Sequence, residues 1–397
     1  MRFVLFYQSL VSDWNHATAH FLRGLATELT KLGHSVRIFE PADGWSLRNL
    51  REQCGEGAIR AFHAMYPGLR STFYDPIAID LDETLADADV VIAHEWNDAD
   101  FLRRLGEHRA RHKDYKLLFH DAPHRPLLNP FDVREHAISR YDGVLASGEA
   151  LREMYIDRNW ADHVWAWRDA VDTSVFQPVA AEAFLDLVWI GTWGPGQRTT
   201  ELHELLLEPI RTLGLRARCY GPRFPPDAQR TLQSSGIDYA GWILDFGVPA
   251  ALAAARMTLH LPRRLQADGL PRTPAIRAMQ ALACGVPLIT GPWDECNQLF
   301  RPDSDLLVAT DGKQMQRHIT ALLADPEHAR SIAAHGHRTV IRHHTCAHRA
   351  RELLAICEKL GADNARDEVA GRLRPSSEAL ERREPHPVRS RTPAAWN

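Results

Sequence analysis

At 397 residues, the chain exceeds one ordinary domain; at roughly 100–200 residues per domain it should hold two, with room for a third. Apolar residues make up 45% and charged residues 25%, a globular composition that excludes wholesale disorder. The 47 basic and 51 acidic side chains leave a formal charge of −4, so no strong basic field points to nucleic acid.

Arg2 to Tyr7 is a short apolar strand, and Ala17 to Leu32 carries helical spacing through Phe21, Leu22, Leu25 and Leu29. Gly33 sits just past that helix as a cap, and Ser35 to Phe39 is the next strand. The runs Asp89–Ala93, Lys116–Phe119 and Gly143–Ala146 each follow a polar helical stretch. Strands alternating with helices predict a mostly parallel, doubly wound sheet. A second series, Leu187–Ile190, Ala217–Tyr220, Met257–Leu261 and Pro287–Thr290, predicts a second Rossmann-like half. Between them Asp169 to Pro178 (DAVDTSVFQP) has no clear period and is placed as the hinge. From about Gly361 to Asn397 hydrophobic residues thin out, and a disordered tail is expected.

Six widely spaced cysteines without a CxxC pair suit a reduced, cytoplasmic protein. The apolar run Phe3–Tyr7 is shorter than a signal-peptide core. No uncharged stretch of about 18 apolar residues is present, so no spanning helix is expected.

A dinucleotide fingerprint needs glycines in the first strand-to-helix turn. Here that turn, Gln8 to His16, reads QSLVSDWNH, which makes a poor NAD site; a Walker A loop is also absent. The turn is long, polar and aromatic, suited to facing an acceptor across a cleft. The most informative segment is Leu270 to Thr290, LPRTPAIRAMQALACGVPLIT. Thr273 suits an N-cap and Pro274 the first helical position, with a helix over Ala275–Cys284 ended by Gly285. The exposed amides of such a helix tip form an anion site able to hold a diphosphate without a metal. Arg277 suits a phosphate and Gln280 a ribose hydroxyl; the plain alternative is a packed helix with an exposed arginine.

ALACGVPLIT with its upstream arginine resembles the donor-site helix of GT-B glycosyltransferases, of the group 1 and spore-maturation-protein-like types. DAVDTSVFQP is similar to their interdomain linker, and VIAHEW (Val91–Trp96) and LFHDAPHRP (Leu118–Pro126) to acceptor-domain strand ends. WIGTWGPGQRTTEL (Trp189–Leu202), AGWI (Ala240–Ile243) and HTCAHR (His344–Arg349) resemble donor-domain and C-terminal elements. The resemblance implies two Rossmann-like domains facing a cleft: residues 1–168 on the acceptor side, a hinge at 169–182 and a donor domain at 183–340. A helix at 341–360 would pack back on the first domain, and 361–397 would form the tail.

The implied reaction moves a sugar from a nucleotide-sugar to an acceptor hydroxyl on a saccharide, lipid-linked carrier or protein, with no metal or other cofactor. Arg198, Thr273, Arg277, Gln280 and Trp193 are the donor-side candidates, with Arg263 and Arg264 behind them. His120, Asp121 and Asp13 are the candidates to orient or deprotonate the acceptor, and His94 and Glu95 hold similar strand-end positions. The family normally has an acidic residue where Gln280 stands; losing that charge costs about 1–2 kcal/mol of donor binding. This departure keeps a catalytically silent nucleotide-sugar binder in view, and the fold also admits an epimerase. Asp80-Leu81-Asp82 is formally a DxD metal motif but lacks a preceding apolar strand, and His343, His344, Cys346 and His348 are placed in a helical segment rather than a zinc site.

Overall fold

The computed structural model describes residues 1–16, 18–122, 138–194, 199–262, 276–293 and 296–362. Seven parallel strands form the first sheet: β1 (Arg2–Phe6), β2 (Ser35–Pro41), β3 (Ser71–Tyr74), β4 (Val90–His94), β5 (Lys116–Asp121), β6 (Gly143–Ala146) and β7 (Val164–Ala166), in the order 3-2-1-4-5-6-7. Its central strands are apolar throughout because helices cover both faces: Phe3 to Phe6 and Val90 to Ala93 are fully buried.

The second sheet contains β8 (Leu185–Ile190), β9 (Ala217–Tyr220), β10 (Ile237–Tyr239), β11 (Ala255–His260), β12 (Leu288–Thr290) and β13 (Leu307–Val308). Its order, 10-9-8-11-12-13, repeats that of the first sheet. The order reverses between β1 and β4 in one lobe and between β8 and β11 in the other.

The first helix runs Ala19–Lys31 and ends as expected at Gly33, where φ is +85°. Gly33 N–H donates to the Thr30 carbonyl and His34 N–H to that of Leu29, both at 3.0 Å, closing a Schellman cap. The helix is buried over its first two turns because a helix far along the chain returns to cover it. Cys346, Ala350, Leu353, Ile356 and Cys357, on the helix Cys346–Lys359, share a core with Phe21, Leu22 and Leu25. Gly24 permits that approach, since a Cβ there would lie 2.5 Å from Cys346 Sγ and 2.8 Å from Asp172 Cβ. Beside this contact the two chain crossings meet: Val171 N–H donates to the His344 carbonyl at 3.0 Å and Cys346 N–H to that of Val171 at 2.9 Å.

Asp80 of the DxD caps the short helix Leu81–Leu85, accepting from Glu83 N–H at 3.1 Å. In the His343–His348 stretch, Cys346 faces the core and His348 Nδ1 lies 2.7 Å from Thr345 Oγ1. No described helix is long and apolar enough to cross a membrane. The expected tail lies outside the described residues from 363 onward.

Candidate active site

Open parallel sheets gather ligands beyond the carboxyl ends of their strands, where the strand order reverses. In the first lobe that place is occupied by the loop after β1 and the residues after β4.

A fully buried guanidinium organises the first loop. Arg23 donates to the carbonyls of Leu10 (2.8 Å) and Val11 (2.9 Å) and to Asp13 Oδ2 (3.2 Å). Its cation lies over the rings of Phe62 and Tyr66, at 4.9 and 5.4 Å. Asp13 in turn reaches the second lobe, accepting from Trp242 Nε1 at 3.3 Å and from Asp245 N–H at 3.0 Å. Burial raises the Asp13 pKa, with the neighbouring Asp245 charge adding to it and Arg23 opposing.

Asp245, also fully buried, accepts from Arg277 Nη1 at 2.9 Å and stands 3.9 Å from Arg23. The same Arg277 nitrogen donates to Gln280 Oε1 at 2.8 Å, and Gln280 Nε2 lies 3.0 Å from His20 Nδ1. Two carboxylates and two guanidiniums thus alternate across the lobes. Outside them Arg223 pairs with Glu52 at 2.7 Å and covers the Trp14 ring at 5.3 Å.

A second cluster sits at the ends of β1, β4 and β5. Tyr7 Oη is 2.8 Å from His120 Nδ1, and the His94 ring lies 4.9 Å from Tyr7 and 5.0 Å from His120. Trp167 closes the group 5.0 Å from His120. Nearby, Asp169 has its Oδ1 shut off from solvent and without a hydrogen bond to a described residue. Burial pushes its pKa up to about 7, against the pull of Arg349.

The candidates thus fall in different places. Asp13, Arg277 and Gln280 are joined through Asp245, while His120 belongs to the tyrosine–histidine cluster. Asp121 does not join His120, because successive strand residues face opposite sides: it accepts from Tyr155 Oη at 2.7 Å. Asp13, His120, Asp121 and Gln280 are all buried. Gln280 is therefore not the open ribose-facing amide expected, since both ends of its amide contact protein. Trp193 is half-buried and packs 5.8 Å from Phe224. Arg198, Thr273, Arg263 and Arg264 lie outside the described residues.

Sequence reasoning passed over Arg23, Asp245, Tyr7 and Asp169. An arginine beside a glycine within an apolar helix was the available signal for the first. The others carried none.

Residues 198–355 match the family model described as glycosyl transferase-like. Over that segment the chain is glycosyl transferase-like. Its matched segment includes Arg277, Gln280 and Asp245, whereas Asp13, Arg23 and His120 lie outside it. No curated protein matches the sequence.

Among solved structures, this chain is similar to sucrose-phosphate synthase from Thermosynechococcus elongatus, at 15% identity and a TM-score of 0.61, covering 91% of this chain and 100% of that one. It is also similar to HepE from Anabaena in complex with UDP, at 12% and 0.67, covering 90% and 100%. TarM from S. aureus follows at 8% and 0.64, covering 90% and 99%. At these identities the likeness is one of fold, the two-lobed GT-B arrangement.

Proposed function

We propose that this enzyme transfers a sugar from a nucleotide-sugar donor to an acceptor hydroxyl without a catalytic metal, in the cytoplasm. On this reading residues 1–168 bind the acceptor and 183–340 the donor. The leaving diphosphate gains negative charge as the sugar becomes oxocarbenium-like, and preorganised donors must stabilise that charge. The observation that carries the reading is the arrangement of Arg277 at the start of the helix Ile276–Ala283. Its Nη1 is held by Asp245 and Gln280, while Nε and Nη2 make no hydrogen bond to a described residue. One edge is fixed and the other is available to a phosphate. The helix amides reinforce it, and Arg198 and Thr273 are proposed to complete the grip, with Trp193 beside the donor.

His120 and Asp13 are the proposed acceptor-side groups, reached when the lobes part; contacts such as Asp13 to Asp245 would break and re-form with donor exchange. HepE has been solved with UDP and with UDP-glucose, which makes uridine donors the first to try. The test is nucleoside diphosphate release from a panel of nucleotide-sugars, with an acceptor pool and with EDTA present. Release that survives the chelator supports metal-free transfer; release abolished by EDTA refutes that part.

A silent nucleotide-sugar binder is the second reading, favoured by the engagement of Gln280 with His20. Nucleotide-induced stabilisation with no release from any donor would establish it.

A further inference from the structure

The Ala99–Arg111 helix starts beside the end of β4 and runs back to the opposite end of the strands, where β5 begins. His108 lies in its last turn and His112 follows four residues on, so both rings project from one side. The rings stack with centroids 4.2 Å apart and planes at 13°. Asp82, in the helix that Asp80 caps, reaches both: its Oδ1 is 3.1 Å from His108 Nε2 and 3.3 Å from His112 Nε2. Each residue offers one ligand atom, and the three lie within 4.8 Å of one another.

Around a tetrahedral ion with bonds of about 2.0–2.1 Å, ligand atoms stand about 3.3–3.4 Å apart. The two nitrogen–oxygen separations match that edge closely, and the third requires only that the more exposed His112 ring tilt. A neighbouring group fixes the buried imidazole: Tyr115 Oη lies 2.9 Å from His108 Nδ1, leaving Nε2 to face Asp82, as a metal-bound histidine is oriented through its other nitrogen. His108 is buried, whereas the His112 and Asp82 side chains are 44% and 77% exposed, giving a rigid anchor and an open approach.

We propose that Asp82, His108 and His112 bind a divalent transition-metal ion, with water completing the shell, at the edge of the lobe remote from the strand-end clusters. Imidazole and carboxylate donors suit Zn2+, Ni2+ or Cu2+. The ion would tie the Leu81–Leu85 segment to the long helix behind it. The inference is independent of the sugar-transfer reading.

The test uses the full chain, stripped with EDTA and dialysed, then titrated with Zn2+ by calorimetry and with Co2+ by visible absorption. The expected result is one equivalent bound and a four-coordinate cobalt spectrum, with melting raised by Zn2+. His112→Ala and Asp82→Ala, both at exposed positions, should each weaken binding about tenfold or more, with metal-free melting unchanged. Tyr115→Phe keeps all three ligands and should weaken it about tenfold. Absence of binding by the unmodified chain overturns the proposal. So does binding that persists in both ligand variants, which would place the ion on other histidines.

Discussion

Arg277 and Asp245 form a 2.9 Å ion pair in which the carboxylate is fully buried while the guanidinium side chain keeps 16% of its surface exposed. The pair aims the cation rather than merely neutralising it, because the buried partner cannot move to follow a ligand. Arg277→Ala is expected to weaken UDP binding at least about tenfold, a loss of about 1.4 kcal/mol. Calorimetric titration measures this, and unchanged affinity would remove Arg277 from the diphosphate site.

Arg23 is the only buried cation described within reach of both Asp13 and Asp245. Arg23→Met leaves those carboxylates facing each other in a dry setting, and breaking a buried pair costs about 3–5 kcal/mol. Urea unfolding should register that loss, with partial recovery when Asp13→Asn is added. A change below about 1 kcal/mol would contradict the organising role given to this guanidinium.

Gln280→Glu restores the charge expected of this helix between Arg277 and His20. Affinity for a nucleotide-sugar should hold or improve, since a carboxylate makes charge-assisted bonds to the same neighbours. More than about a tenfold loss would mean that the amide is matched to a different task, the inter-lobe contact with His20 foremost.

Two groups near Arg349, the half-buried Asp169 and the buried His344, give opposite pH dependences. Asp169, raised to about 7 by burial, keeps its proton in the folded chain where the unfolded chain has lost it at about 3.9. Its effect is to lower stability as pH rises from about 4 to about 7. His344, lowered to about 4 by burial and then by Arg349, resists a proton that the unfolded chain accepts at about 6.5. Its effect is to lower stability as pH falls from about 6.5 to about 4. Asp169→Asn should therefore stabilise the protein at pH 8 by about 1–3 kcal/mol and hardly at all at pH 4. His344→Gln should stabilise it at pH 5 by about 1–2 kcal/mol and not at pH 8. Denaturant midpoints across that range decide both, and parallel profiles for variant and parent would count against either.

The central strands were legible because burial on both faces demands an unbroken apolar run, as in Phe3–Phe6 or Val90–Ala93. The edge strands were not. Ser71–Tyr74 buries a single side chain and Leu307–Val308 is two residues long, so neither leaves a periodic trace. The helix carrying Arg277 and Gln280 was readable from its proline, small residues and terminal glycine. Its partners were hidden for a different reason: Asp13 and Asp245 meet across 232 positions of chain, and pairing at that range leaves no local pattern. Asp82 and His108, 26 positions apart, were missed likewise, although the spacing of the two histidines was in plain view.

The return of Cys346–Lys359 onto Phe21, Leu22 and Leu25 also constrains how the protein is born. Early-synthesised domains generally fold before later ones leave the ribosome, but here the amino-terminal lobe lacks one wall until residues 346–359 have been made. A fragment spanning 1–168 should emerge with a sticky flank, and in the cell that flank must be shielded while the remaining residues are made.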